Sequence, residues 1–449
     1  MAKRKTPQAK EGKDPIQDLK ARLEEARKGG DPEQITTVQG VVGRTLLSLG
    51  NPQEALPHLE EAYEMAMQAG LMQQAARHLG NQGIARLKLG ELVAALECFD
   101  KVLEQAEANE WHDMKCDALL QKAGLHIEMG RGDLAYQELE QALKIAEDTE
   151  DETRRMHVCG MIGISHLNLA SVEEAARYFE ISLEIATKQN NLVAMGGYHT
   201  NLGSAYLIGG GPKVAVREFQ TALEIARKLK DSTGERNALF SLVKACVEAE
   251  DEEGVTRFAT EALELARADS DLQGQSTQLN NLILASSRQG KREDATQYIG
   301  EALTLAETMG DKDRELYLLT SQGNLAYDTG DLEAARGAYE KGFNLAMRLQ
   351  KWDQEARLLG RLSAVEADNG NLEKSLEYAL QGMKLAQKGE DRRLIGEQMM
   401  LISMTYRDRD NFESARKFAE DAREEFAQIE APETLEKVDN YLAELSVLA

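Results

Sequence analysis

Four side chains that could bind a metal lie between residues 126 and 166: His126, His157, Cys159 and His166. A zinc site would need three or four of them to converge as a tetrahedron at about 2.0 to 2.3 Å. Their spacing shows neither an i, i+4 pair nor a Cys-x-x-Cys pair, which would make such a prediction strong. His126 and His166 stand 40 residues apart, and packing in the protein core is favoured for both over metal ligation. We predict no metal and no cofactor.

Nucleophilic catalysis is equally weakly supported. Cys159 and His199 could meet if neighbouring repeats brought their helices together, but no orienting group or oxyanion site accompanies them. The glycines from Gly209 to Gly211 lack both a preceding strand and the following Lys-Ser or Lys-Thr of a phosphate-binding loop. We therefore predict no catalytic residues and no enzymatic activity.

A glycine recurs every 40 residues over most of the chain. It stands at Gly50, Gly90, Gly130, Gly210, Gly290, Gly330 and Gly370, and the missing members of the series are Ala170, Glu250 and Asp410. Such a period is the signature of a tandem repeat array. Stacked repeats form extended binding surfaces, so the period favours a binding function.

Each repeat is predicted to contain two helices, A and B. Small residues recur at one position of helix B, beginning with Ala55, Ala95 and Ala135, beside large apolar residues at helical offsets. In repeat 8 we expect helix A over 311–329 and helix B over 331–349. Gly330 is suited to the left-handed conformation that ends a helix, and Asp331 to accepting from free amides of the next one.

These positions resemble the tetratricopeptide repeat over about residues 31 to 430. Repeat 5 carries the pattern most completely, with Leu202, Gly203, Tyr206, Ala215, Phe219 and Ala222, whereas repeat 6 departs from it at Val243, Val255 and Ala259. Repeats of 40 residues are similar to those of spindle-orientation adaptors, kinesin light chains and bacterial peptide-responsive regulators. The resemblance implies an all-α, right-handed α-solenoid (superhelix) of about ten hairpins, whose A helices line a concave groove for a protein or peptide.

The chain divides into four predicted regions. Residues 1–14 are rich in lysine and should be disordered; a weak localisation signal or a contact with an acidic surface is the alternative. Residues 15–29 form an N-terminal capping helix, residues 31–430 the ten repeats, and residues 431–449 a C-terminal capping helix. A partner-binding or dimerising role is the alternative for this last helix.

Composition excludes some classes of function. With 53 basic and 77 acidic residues the formal charge is −24, which argues against nucleic-acid binding and against docking on anionic membranes. The four cysteines have no paired spacing, which favours buried free thiols in a reducing compartment. No apolar run reaches membrane-spanning length and no secretory signal begins the chain. The cytoplasm is the expected location.

The candidate binding residues lie on helix A, on the stripe opposite its packing face. They are asparagine or basic residues: Arg77, Asn81, Asn168, Asn201, Asn237, Lys244, Asn281, Arg288, Asn324, Arg357 and Arg361. Asparagine matches the donor and acceptor of a peptide backbone, and arginine binds a carboxylate through two parallel hydrogen bonds. We predict a protein partner with acidic residues; the alternative is an ordinary solvated helix face.

The function predicted from these observations is a non-catalytic scaffold or adaptor that binds a protein segment along the concave face. The rival prediction is a structural subunit built permanently into a larger assembly. An enzyme or small-molecule sensor is a distant third.

Overall fold

The computed structural model describes residues 15–429 and 431–448, and all regular structure in those ranges is α-helical. The helices are α1 (Pro15–Gly29), α2 (Pro32–Ser48), α3 (Pro52–Gln68), α4 (Met72–Lys88), α5 (Leu92–Ala108), α6 (His112–Glu128), α7 (Gly132–Asp148), α8 (Glu152–Asn168), α9 (Val172–Lys188), α10 (Leu192–Ile208), α11 (Pro212–Leu229), α12 (Ser232–Glu248), α13 (Glu252–Ala268), α14 (Leu272–Arg288), α15 (Arg292–Met309), α16 (Lys312–Asp328), α17 (Leu332–Arg348), α18 (Trp352–Asp368), α19 (Leu372–Lys388), α20 (Arg392–Asp408), α21 (Phe412–Gln428) and α22 (Pro432–Leu448). The predicted tail over residues 1–14 lies outside the described residues.

The helices alternate as A and B members of 40-residue repeats. Even-numbered helices from α2 to α20 are A helices, and odd-numbered helices from α3 to α21 are B helices. The chain forms two compact units, one up to Ser241 and one from Leu242, and the division falls inside α12. Within each unit every helix packs on the next, from α1 to α11 and from α13 to α22. The predicted all-α fold of stacked hairpins is confirmed.

A residue in the left-handed conformation stands at every twentieth position from Gly30 to Asp410. It is glycine at half of these positions, while Ala170, Glu250 and Asp410 adopt the same conformation with φ of 55° to 57°. The turn after α16 shows why it recurs: the amide of Asp331 donates to the carbonyl of Ala326 at 2.9 Å and so closes the helix end.

The same aspartate begins the following helix. The Asp331 side chain accepts from the amide of Ala334 at 3.0 Å, which satisfies one of the free amides at the start of α17. The stop and the cap predicted at Gly330 and Asp331 are therefore both present.

The two helices of a repeat pack through a small residue on A and a large one on B. A Cβ atom at Gly83 would lie 2.6 Å from the Phe99 ring, and one at Gly203 would lie 2.6 Å from the ring of Phe219. Both rings are buried. Helix A needs glycine at this position because the aromatic ring of helix B lies against its backbone. The ring then fills the space between the two helices of the hairpin.

Successive A helices also contact one another directly. In the first unit α2, α4, α6, α8 and α10 are linked in this way, and in the second unit α18 contacts α20. Adjacent A helices are therefore close enough for their side chains to line common clefts.

Candidate protein-binding surface

The A face is the stripe of helix A side chains that begins on α4 with Arg77, Asn81, Ile84 and Lys88 and recurs on the other A helices. The opposite side of α4 is packed, with Leu79 and Gly83 buried. Arg77 and Lys88 are exposed, while Asn81 and Ile84 are half-buried. The helical period therefore leaves the predicted stripe accessible.

The first cleft on the A face is lined by α2, α4, α6 and α8 and by two residues of the B helix α5, and it has a volume of about 440 Å³. Its apolar lining includes Ile84, Phe99 and Val102, and its polar lining includes Arg44, Arg77, Asn81, Asp117 and Arg154. This volume is in the range of ordinary ligand clefts.

A smaller pocket of about 150 Å³ between α2 and α4 shares Arg44, Arg77 and Asn81 with the first cleft. Its remaining lining residues are Thr37, Gly40, Gln74 and His78. Two arginines line it and no carboxylate does, so the pocket is positively charged.

The second cleft lies across α6, α8 and α10, with Leu87 of α4 at its edge, and has a volume of about 510 Å³. Leu120, Met161 and Ile164 supply apolar surface, and Asn201 is among the polar lining residues. Asp117 and Gln121 line both the first and the second cleft.

Asp117, which lies between these two clefts, is held in an ion pair. Arg154 donates from Nε to Oδ1 at 2.9 Å and from Nη2 to Oδ2 at 3.0 Å. Hydrogen bonding to Asp117, and to Asp151, raises the pKa of Arg154. The Asp117 carboxylate is therefore paired already, and the free positive charge of this region lies at Arg44 and Arg77.

In the second unit a cleft of about 300 Å³ opens across α16, α18 and α20. Arg357 and Arg361 both line it, together with Glu397. The guanidinium of Arg357 lies 3.7 Å from the Glu397 carboxylate. The A face thus carries acidic as well as basic side chains, whereas the sequence analysis predicted only asparagine and basic residues there.

The structure divides the predicted binding residues into groups. Arg77 and Asn81 share a cleft, as do Arg357 and Arg361, and Asn201 lines the second cleft. Asn168, Asn237 and Lys244 are exposed on their helices.

Three other predicted residues make contacts within the fold. Asn324 accepts a hydrogen bond from the Tyr339 hydroxyl at 2.9 Å, Asn281 donates to Gln278 at 3.3 Å, and Arg288 lies 3.1 Å from Glu252. These contacts use hydrogen-bonding groups of the three side chains that would otherwise be available to a partner.

Two of the three histidines weighed as metal ligands make contacts within the fold. His126 lies 2.8 Å from a carboxylate oxygen of Glu138, and His166 stacks on Tyr178 with ring centroids 5.7 Å apart. No group of three or more His, Cys, Asp or Glu residues within 15–429 and 431–448 could hold a metal ion.

Cys159 and His199 are engaged separately. Burial raises the pKa of the Cys159 thiol to about 11, so the reactive thiolate is disfavoured at neutral pH. His199 lies 2.7 Å from Glu218. This arrangement is unlike that of an activated nucleophile and its base.

His78 is a buried polar residue between α2 and α4 that sequence reasoning missed. Its side chain is only 7% exposed, and burial together with the charge of Arg44 lowers its pKa to about 4. The signal that could have revealed it is Gly40, which lies 38 positions earlier and leaves room for the ring.

The fold and its open A face define an α-helical repeat protein built from tetratricopeptide-like hairpins. Among known families, the model described as "Anaphase-promoting complex subunit 5" matches residues 89–162. The outer dynein arm-docking complex subunit 4 of Danio rerio is 28% identical over 164 residues, which are 34% of this chain and 31% of that protein. The match therefore spans about a third of the relative's length.

Solved structures show similar repeats. The apo quorum sensor NprR from B. thuringiensis is 16% identical over 74% of this chain and 97% of its own, with a TM-score of 0.45. Repeats of a putative kinesin light chain from Podosopora anserina are 18% identical over 45% of this chain and 99% of theirs, with a TM-score of 0.37. None of the helices in the described residues has the length and apolar character needed to span a bilayer.

Proposed function

We propose that this chain is a non-catalytic protein-interaction scaffold or adaptor that binds an extended or helical segment of a protein partner along the A face. The observation that carries the proposal is the coincidence of three clefts, of about 440, 510 and 300 Å³, with this one stripe of residues. The cytoplasmic location and acidic partner expected from the sequence belong to the same proposal.

The chemistry of the A face suits a protein segment. Asn81 and Asn201 offer both a donor and an acceptor to a peptide backbone. Exposed apolar side chains stand beside the polar ones, with Leu284 44% exposed and Tyr317 55% exposed. Buried apolar and aromatic contacts supply much of the binding energy in protein interfaces. Such a mixture therefore suits a surface that a protein partner covers.

The second candidate is a subunit built permanently into a larger assembly. It is favoured by the comparisons, because both the matching family and the Danio rerio relative are described as subunits of complexes. In that case the B helices or the ends of the chain would carry the main contacts.

Affinity purification of variants separates the two candidates. One variant combines Asn81→Ala with Asn201→Ala on the A face, and a second combines Arg357→Ala with Arg361→Ala. The matched control combines Lys101→Ala with Glu104→Ala, two exposed positions on the B helix α5. Partners are quantified by mass spectrometry after a mild salt wash.

The scaffold proposal expects either A-face variant to lose at least about ten-fold of a specific partner, which corresponds to about 1.4 kcal/mol. The control variant should retain it. Undiminished capture by both A-face variants, with stoichiometric co-purification of a multi-subunit complex, would instead support the permanent subunit.

A further inference from the structure

A row of large apolar residues lies along the edge of the first unit where each helix A turns into helix B. One such residue stands at the end of helix A in each of repeats 1 to 5, and together they form the apolar edge: Leu49, Leu89, Met129, Leu169 and Ile208. Leu49, Leu169 and Ile208 are 53%, 65% and 59% exposed, and the other two are half-buried. Contiguous exposed apolar surface marks a site that another molecule covers.

Neighbouring members of the apolar edge adjoin one another. Their helices α2, α4, α6, α8 and α10 contact each other in that order. At repeat 5 a Cβ atom on Gly209 would lie 2.8 Å from Cγ1 of Val172, which begins helix B of repeat 4. Val172 follows Leu169 by three residues, so it extends the apolar surface from Leu169 towards Ile208. The edge is therefore a continuous row.

The repeat fold itself does not require an apolar edge. In repeats 6 to 10 the residues at the position of Leu49 are Ala249, Gln289, Thr329, Asn369 and Arg409. Arg288 stands at the position of Ile208, and its guanidinium lies 3.1 Å from the carboxylate of Glu252. The second unit thus meets solvent with polar side chains at this edge, and the large apolar residues belong to the first unit.

Unpaired charges beside the apolar edge change sign along the repeats. Between the end of helix A and the first turn of helix B, repeat 1 exposes Glu54 and repeat 2 exposes Lys88. Repeat 4 exposes Glu173 and repeat 5 exposes Lys213. None of these four side chains is in an ion pair with another of the described residues.

The other charges of this edge are balanced more locally. In repeat 3 the exposed Arg131 stands between the exposed Glu128 and Asp133. Glu91 of repeat 2 already pairs with Arg86 at 3.0 Å, and the Glu174 carboxylate of repeat 4 lies 3.4 Å from Arg177. The unpaired charge of repeats 1, 2, 4 and 5 is therefore negative, positive, negative and positive in that order.

We propose that the first unit dimerises with a second copy of this chain through the apolar edge, with the two edges antiparallel and repeat 3 of each copy on the two-fold axis. Leu49 of one copy then faces Ile208 of the other, and Leu89 faces Leu169. Met129 meets its own counterpart at the axis. The same patch serves both copies, as a two-fold interface demands.

The charge order favours a second copy in this direction. When the edge is reversed, Glu54 of repeat 1 faces repeat 5 with Lys213, and Lys88 of repeat 2 faces repeat 4 with Glu173. At the axis Arg131 of each copy faces acidic residues of the other. A parallel pairing would set each repeat against itself and so bring like charges together, which is destabilising.

The edge is also large enough for a stable interface. It comprises seven positions, such as 48–54, in each of the five repeats. Standard interfaces use about 20 to 30 residues a side. None of the residues that line the first cleft belongs to this edge, so dimerisation leaves that part of the A face open. Dimerisation and partner capture can therefore be tested separately.

Sedimentation equilibrium of the full chain from about 1 to 100 µM tests the oligomeric state. The wild-type protein should reach twice the monomer mass. Leu49→Glu combined with Leu169→Glu should weaken the dimer about ten-fold or more, because it places carboxylates in the apolar contact. Both positions are exposed in one copy, so circular dichroism should show an unchanged fold.

The matched control is Val193→Glu, at a residue 72% exposed in the first turn of α10, where helix B turns into helix A. It should leave the dimer unchanged. A wild-type protein that remains a monomer over the whole concentration range would overturn the proposal. So would a dimer that tolerates Leu49→Glu with Leu169→Glu as well as it tolerates Val193→Glu.

Exchange of one pair of charges tests the direction of pairing. Lys88→Glu sets like charges against each other at two symmetric places, and it should weaken the dimer about ten-fold. Glu173→Lys alone should act in the same way. The protein that carries both substitutions should recover most of the wild-type affinity. Failure of the double exchange to recover it would refute the antiparallel arrangement.

Engineered disulfides give an independent test, since all four native cysteines are buried. Leu134 is 44% exposed in repeat 3, so Leu134→Cys should form a covalent dimer under mild oxidation. Leu49→Cys should not link to itself, but it should link to Ile208→Cys when the two proteins are mixed, because a disulfide requires Cα atoms within about 7 Å. Linkage of Leu49→Cys to itself alone would instead indicate a parallel pairing and overturn the proposal.

Discussion

Gly40 on α2 lies directly against His78 on α4, so that a Cβ atom at position 40 would overlap the imidazole ring. The same relationship recurs between Gly160 and Tyr198. In both cases the missing side chain of one A helix makes room for a bulky polar residue of the next. The interface between repeats is therefore adjusted in pairs of residues that stand 38 positions apart.

Gly40→Ala should lower the free energy of unfolding by about 1 to 3 kcal/mol, because the new methyl group overpacks a buried ring. Combining it with His78→Ala should recover most of that loss. The matched control is Gly80→Ala, since a Cβ there would meet only Val102 at 4.0 Å. Urea denaturation monitored by circular dichroism measures all three. Equal effects of Gly40→Ala and Gly80→Ala would contradict the close contact.

The lowered pKa of His78 predicts that the protein loses stability in mild acid. Its pKa is about 4 in the fold against 6.5 for a free imidazole, so below pH 6.5 only the unfolded chain takes up the proton. The free energy of unfolding should therefore fall as the pH drops from 6.5 to 4, by on the order of 1 to 2 kcal/mol after solvent screening is allowed for.

His78→Gln should remove this pH dependence while preserving the fold at pH 7. Glutamine is native at the equivalent position Gln398, where it bonds to a backbone carbonyl. Urea unfolding at several pH values compares the two proteins. A difference between them that does not change from pH 6.5 to pH 4 would argue against a neutral buried His78.

Ala170→Gly should stabilise the protein by roughly 1 kcal/mol, because Ala170 is held at φ 56°, where a Cβ atom is strained. The control is Ala443→Gly, an exposed site inside α22, which should destabilise by about the same amount. Thermal unfolding of both variants gives the comparison. If both glycines destabilise, the left-handed turn carries no such strain.

Glu366 on α18 is a carboxylate with 1% of its side chain exposed, and it lies 3.0 Å from both Arg336 and Lys374. Burial opposes its charge, but hydrogen bonds from Asn371 and Lys374 and the charge of Arg336 lower its pKa overall. Glu366→Gln should therefore cost about 1 to 3 kcal/mol above pH 4.5, where the wild-type group is ionised.

The control for Glu366 is Glu420→Gln, which removes an exposed ion pair with Arg416 on α21. Such surface pairs contribute about 0.5 kcal/mol or less. Equilibrium denaturation at pH 7 ranks the two variants. A similar loss of unfolding free energy for both would show that the buried Glu366 cluster stabilises the protein no more than an exposed ion pair does.

Local patterns were enough to predict the repeat, its helices and the residues that end them. The 40-residue period fixes where each turn falls. The backbone therefore adopts the left-handed conformation at Ala170, Glu250 and Asp410, although none of them is glycine. The A face also followed from sequence, because a helical period places Arg77 and Asn81 on the side opposite Leu79 and Gly83. These inferences depend on residues close together in the chain.

Which polar side chains of the A face remain free was decided only by tertiary structure. Asn81 and Asn324 look alike as members of one stripe, yet Asn324 accepts a hydrogen bond from Tyr339 while Asn81 lines a cleft. His78 is left unpaired because its ring lies between two repeats, where Gly40 leaves space and Arg44 adds charge. Hydrogen bonding and burial depend on packing between repeats, and periodicity along one helix does not reveal those distances.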